Sequence, residues 1–128
     1  MSIAFSNVSV DNMNFINGKN DIKFEFIDSY KDSNKYCGEI ICRNILTFKM
    51  DTAFEDNEFF FPCFVCDVTI IKLDENHIES KFNELRYAYK YSDGLAIPKS
   101  EEYHLIRIEG GELDISIICS GIEINKVR

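Results

Sequence analysis

The sequence predicts a β-rich α+β fold, a mostly antiparallel twisted sheet or half-barrel of about six to seven strands with one amphipathic helix. Apolar and polar residues alternate along several segments, which is the period of strands with one buried face. The 128 residues include 11 Phe and 6 Tyr but only 2 Pro, and this composition favours sheet. Without a linker, repeat or low-complexity segment, residues 1–128 are expected to form a single domain.

The first predicted strand must change phase within ten residues. Ile3 and Phe5 share one parity, whereas Val8 and Val10 share the other. A bulge or bend at Ser6-Asn7 would let both pairs face inward. Turn residues then follow at 11–12 and 17–20, and a second strand has these residues on one face: Ile22, Phe24 and Phe26.

The clearest strand runs from Tyr36 to Met50. Its even positions are apolar at nearly every step, so this face is expected to meet the core. Strands average about 5–6 residues, and a strand this long must bend or contain a bulge. Asn44, the polar exception on the even face, places the predicted break at Arg43-Asn44.

Residues 59–73 are apolar on both parities, which predicts a strand covered on both sides. Pro62 has no backbone N–H, so regular pairing is expected only after it.

One amphipathic helix is predicted at roughly residues 77–88. Ile78, Phe82, Leu85 and Tyr89 recur at the spacing of one helix face. The alternative is another strand within 86–91, where three Tyr residues alternate.

The chain ends in a predicted hairpin. Gly110-Gly111 is suited to a primed two-residue turn between residues 103–109 and 112–119. Leu113 to Cys119 place alternate apolar residues on one face, and after Gly121 the phase flips to Ile122 and Ile124.

The net charge of −8 and a pI near 4.7 argue against partners that are themselves anionic. Nucleic acids and anionic lipids both require a basic face. An acidic surface either maintains solubility or steers a basic protein partner.

No catalytic or metal motif emerges from the sequence. Cys63 and Cys66 form the one CxxC, but in a strand this spacing points the two thiols to opposite faces, unlike a zinc knuckle. His77 and His104 lack an identifiable nucleophile, and surface positions are expected for both. We therefore expect no metal, no cofactor and no enzymatic activity.

The candidate binding element is the loop 51–58, which carries acids and no base. Its expected partner-binding residues are Asp51, Phe54, Glu55, Asp56 and Glu58. The carboxylates would form an anionic prominence resembling a phosphate backbone, and Phe54 would be its apolar anchor. Alternatively, Phe54 folds back onto the sheet edge and the acids are only solvated.

In size, charge and strand-rich style, including the segment YHLIRIEGGELDISIIC, the chain resembles the immunity proteins of bacterial polymorphic toxin systems, among them contact-dependent growth inhibition systems. This resemblance implies a protein-binding inhibitor of a cognate toxin domain that is basic, with a nuclease as the favoured toxin. A self-associating structural β-domain and a small-ligand-binding β-barrel are the alternatives. The N-terminus has no signal-peptide pattern and no apolar run is long enough to span a bilayer, so a cytoplasmic location is expected. The protein is expected to be a monomer or weak dimer.

Overall fold

A computed structural model describes residues 2–18, 20–28, 35–52, 62–73 and 103–127. These residues form six strands, which we number in chain order: β1 (Ser2–Ile16), β2 (Asp21–Asp28), β3 (Tyr36–Thr52), β4 (Cys63–Leu73), β5 (Tyr103–Gly111) and β6 (Leu113–Lys126). Every neighbouring pair is antiparallel. The strands follow the order β1-β2-β3-β6-β5-β4 around a closed barrel.

The predicted β-rich, antiparallel architecture is therefore confirmed, with six strands in the described part of the chain. The sheet closes through pairing of β1 with β4, rather than ending at two edges as a half-barrel would. The predicted helix at 77–88 and its alternative strand at 86–91 lie outside the described residues. Within the described ranges, no helix is long and apolar enough to cross a membrane.

The first strand is longer and less regular than expected. β1 runs through the predicted turn at 11–12, because its register against β2 shifts between Val10 and Asn12 and absorbs one residue without ending the strand. A second shift, against β4, falls between Ile3 and Phe5. Phe5 consequently faces the core, whereas Ile3 is 57% exposed, so the inward placement expected for Ile3 was wrong.

The barrel strands change phase in matched pairs. On β1 and β4, Phe5 faces Val68 and Val8 faces Val65, and all four residues belong to the core. Two residues separate the core residues on each strand, instead of the single residue of regular alternation. Both strands therefore change which parity faces the core, and they do so at paired positions. Asn7 makes the turn on β1 with a φ of 52°. This confirms the bend predicted at Ser6-Asn7.

β3 and β6 repeat this arrangement on the other side of the barrel. Cys42 faces Ile122 and Ile45 faces Cys119, with all four side chains in or against the core. Asn44 lies between them at a φ of 54°, as the predicted break required. A register shift between Ile45 and Thr47 follows, so the even face of β3 is not continuous. Leu46, an even-numbered residue of β3, packs instead with a second apolar group outside this core.

Asp21 holds this bend of β3 in place. Its carboxylate accepts hydrogen bonds from the Asn44 backbone N–H at 2.9 Å and the Asn17 side chain at 2.8 Å, and it pairs with Arg43 at 3.4 Å. The residue is only 5% exposed. The bond from Asn44, followed by that from Asn17, lowers the pKa of Asp21 below its ordinary value of 3.8.

The C-terminal hairpin is confirmed, but its turn falls one residue later than predicted. Ile108 faces Ile115 across β5 and β6, which centres the connection between Gly111 and Glu112. Gly111 instead pairs with Val65 of β4. A Cβ on Gly111 would meet the Phe64 backbone, so the close approach of β4 requires glycine there.

The described barrel interior is filled by apolar side chains. The largest fully buried ones come from all six strands: Phe24, Phe26, Ile22, Ile40, Ile106, Ile108, Ile115, Ile117, Val10 and Val65. Cys42, Cys63 and Cys119 belong to the same core. A hydrogen bond with Cys119, together with burial, raises the pKa of the Cys42 thiol, so this thiol stays protonated and inert.

A second apolar group lies apart from this core. It consists of Leu73, Tyr103, Leu105 and Ile118, with Leu46 and Ile71 packed against it, and we refer to these six residues as the outer cluster. Its four main members are at most 5% exposed.

Replacing Asp21 with Ala should lower the free energy of unfolding by about 1–3 kcal/mol, because the backbone N–H of Asn44 would lose its buried acceptor. Urea denaturation measures this change. Glu123→Ala is the matched control, since it removes the other carboxylate on Arg43 from an exposed site, and little change is expected. Equal losses in both variants would contradict the role assigned to Asp21.

The effect of Asp21 should also depend on pH. Since the pKa of this carboxyl is lower in the folded protein than its ordinary value of 3.8, its stabilisation is fully present above that value. The stabilisation is lost as pH falls through the folded pKa. The difference in stability between wild type and Asp21→Ala should be constant at neutral pH and shrink in strong acid. An unchanged difference at the lowest accessible pH would refute the electrostatic part of this account.

Gly38→Ala should destabilise the barrel by about 1–3 kcal/mol. Gly38 has a φ of 146°, and a Cβ there would press on the Asn125 carbonyl and lie 3.1 Å from the Phe5 ring. Gly121→Ala is the control, because its Cβ would meet only Arg43, with Cβ atoms 3.2 Å apart. Thermal melts of both variants provide the test. A smaller loss at position 38 than at 121 would be inconsistent with this packing.

Candidate functional site

Of the predicted binding residues, only Asp51 lies within the described part of the chain. Phe54, Glu55, Asp56 and Glu58 lie outside the described residues. Asp51 was expected in a loop, but this was wrong: it lies within β3. The strand continues to Thr52 because its pairing with β6 persists to that residue.

This pairing places Asp51 directly opposite Asp114 of β6. Directly opposed residues of an antiparallel pair share one face of the sheet, and like charges in this position destabilise it. The side chains of Asp51 and Asp114 are 69% and 52% exposed. Two carboxylates thus lie side by side in solvent at the end of the longest strand pair.

A second pair of opposed acids continues the first. Asp67 of β4 faces Glu109 of β5. Ile108 of β5 faces Ile115 of β6, and the same register places their sequence neighbours Glu109 and Asp114 opposite each other. The four acids therefore form a row across four adjacent strands on the outer face. We call Asp51, Asp114, Glu109 and Asp67 the acidic band.

Two cations partly balance the acidic band. The Nη2 atom of Arg107 lies 2.9 Å from Glu109 and 3.3 Å from Asp114. Lys49 is 4.0 Å from Asp51, at the limit of an ion pair. The Ser6 hydroxyl donates to Asp67 at 3.4 Å. Four carboxylates against two bases leave a net negative charge of two on this surface.

A second group of charges provides a useful contrast. Glu25 and Glu39 are also opposed across β2 and β3, but Lys23 lies 3.6 Å from each of them. Their side chains are 29% and 22% exposed. One lysine therefore bridges this pair and shields it, whereas the side chains of Asp51 and Asp114 are more exposed to solvent.

The sequence indicates the individual acids of the acidic band but not their proximity. Its members are far apart in sequence, and each occupies one outward position in a mostly apolar strand. Strand parity identifies Asp114 as outward-facing, since it alternates with the buried Leu113 and Ile115. The registers between strands, which place the four acids in one row, are not visible in the sequence.

The described residues offer no alternative chemical centre. All five cysteines are free thiols; Cys63 is fully buried in the core and Cys66 is partly exposed. Within the described ranges, no group of three His, Cys, Asp or Glu side chains is placed to hold a metal ion. His104 is a half-buried residue of β5 opposite Lys72, and His77 lies outside the described residues.

Fold and surface together define a closed antiparallel six-stranded barrel with an apolar interior and an acidic outer band. A family model described only as "-like" matches residues 3–126. The chain therefore belongs to that family, whose description states no activity, ligand or partner.

One solved structure shares the fold. It is the crystal structure of an uncharacterized protein from Neisseria gonorrhoeae, similar at a TM-score of 0.60 over 96% of this chain and 94% of that chain, with 23% sequence identity. At this identity the similarity concerns the fold alone. Comparison with curated proteins gave no match.

Neutralising Asp51 should stabilise the protein. Asp51→Asn removes one of two directly opposed charges, and we expect the free energy of unfolding to rise by about 0.2–1 kcal/mol. The gain should diminish at high ionic strength, because salt screens exposed charges. Chemical denaturation at low and high salt measures both effects.

The control for this prediction is Glu39→Gln, which removes a charge that Lys23 already balances and should give no gain. A loss of stability in Asp51→Asn would show that the acidic band is not under repulsion.

Proposed function

We propose that the protein is a non-enzymatic, protein-binding inhibitor, an immunity protein that neutralises a cognate toxin domain through the acidic band. The observation that carries this proposal is the exposed pair of Asp51 and Asp114. Opposed like charges weaken a sheet, and the pair lies at a surface where neutral residues would fold as well. Attraction of a basic partner would explain why two like charges occupy these positions.

The barrel interior supports a role on the outer surface. Small-ligand sites are concave and combine an apolar wall with a few converging polar groups. The described interior is instead lined with packed Ile, Phe, Val and Cys side chains. Among the described residues, chemistry that could recognise a partner is on the outside of the barrel.

The same packing weakens the alternative of self-association through the apolar segment 59–73. The described part of that segment is β4, which pairs on one side with β1 and on the other with β5. Its residues Val65 and Val68 face the core. Their apolar character serves the barrel itself and is not available to a second copy.

The charge spacing of the acidic band favours a nuclease toxin. Adjacent strands are about 4.8 Å apart, so the four acids form a row of closely spaced negative charges, as the phosphates of a nucleic acid strand do. A cleft that binds phosphates could therefore accept the band. The protein would act as a monomer or weak dimer in the cytoplasm, without a cofactor, by occupying or covering that basic surface.

Two matched double variants test the binding role of the acidic band. Asp51→Asn with Asp114→Asn removes the exposed opposed pair, whereas Glu25→Gln with Glu39→Gln removes the pair that Lys23 bridges. The proposal expects a toxin domain to be encoded beside this protein's gene, and calorimetry measures binding to that domain. We expect at least about a tenfold loss of affinity for the first variant, or about 1.4 kcal/mol, and less than twofold for the second.

Equal losses in the two variants would refute the assignment of the binding surface. Failure of the wild-type protein to bind that toxin domain, or to protect cells that express it, would refute the function itself.

Association should depend steeply on salt. Electrostatic steering accelerates the encounter of opposite charges and is screened at high ionic strength. Stopped-flow rates between low and physiological salt should therefore fall markedly for the wild type. The fall should be smaller for the Asp51→Asn/Asp114→Asn variant. Equal salt dependence in the two proteins would mean that the acidic band does not steer association.

A further inference from the structure

We draw no further inference here: the strongest candidate, the outer cluster of Leu73, Tyr103, Leu105 and Ile118 on β4, β5 and β6, is a buried apolar face for which nothing in the described part of the chain shows what covers it.

Discussion

The carboxylate of Asp21 fixes the point at which the longest strand bends. Asn44 adopts a left-handed backbone conformation, which costs most residues about 1–2 kcal/mol. The hydrogen bond from its N–H to Asp21 offsets that cost and directs the second half of β3 along β6. The neighbouring Ile45 N–H donates to the Asn20 carbonyl at 2.8 Å. The β1–β2 turn thus holds β3 in its bent course through two adjacent backbone groups.

Closure of the sheet follows from two such bends on opposite sides of the barrel. A barrel strand must coil to keep its apolar residues inside along its whole length. Here the change of phase is concentrated in steps, at Asn7 on β1 and Asn44 on β3. The facing strands, β4 and β6, change phase at the same levels. Because each step is shared by both members of a pair, the hydrogen-bonded register survives it.

The sequence predicted those parts of the fold that depend on local alternation. The spacing of apolar residues predicts the strands β2 and β3, the bend at Asn44 and the terminal hairpin. Parity could not predict the continuity of β1 through Asp11-Asn12, because a bulge makes one strand look like two. Closure was not predictable either, since it depends on pairing between residues about sixty positions apart.

The candidate site was predicted only in part, for a related reason. The acidic segment 51–58 was predicted because its charges lie close together in the sequence, and Asp51 is the one predicted binding residue within the described chain. The other three members of the acidic band were missed, because their proximity depends on the registers of three strand pairs. Arg107 also had no sequence signal for its role, yet its guanidinium joins Glu109 to Asp114. The binding role of the band is a proposal that the fold makes testable.

Each member of the acidic band is contributed by a different strand, and each occupies a position that points away from the core. Inward residues fill the core of the barrel, whereas exchanging one of these outward residues is expected to change its stability by no more than about 1 kcal/mol. A barrel of this kind can therefore keep one backbone while displaying different charges on this face. Under the proposed function, such a scaffold would let binding specificity change while the fold is retained.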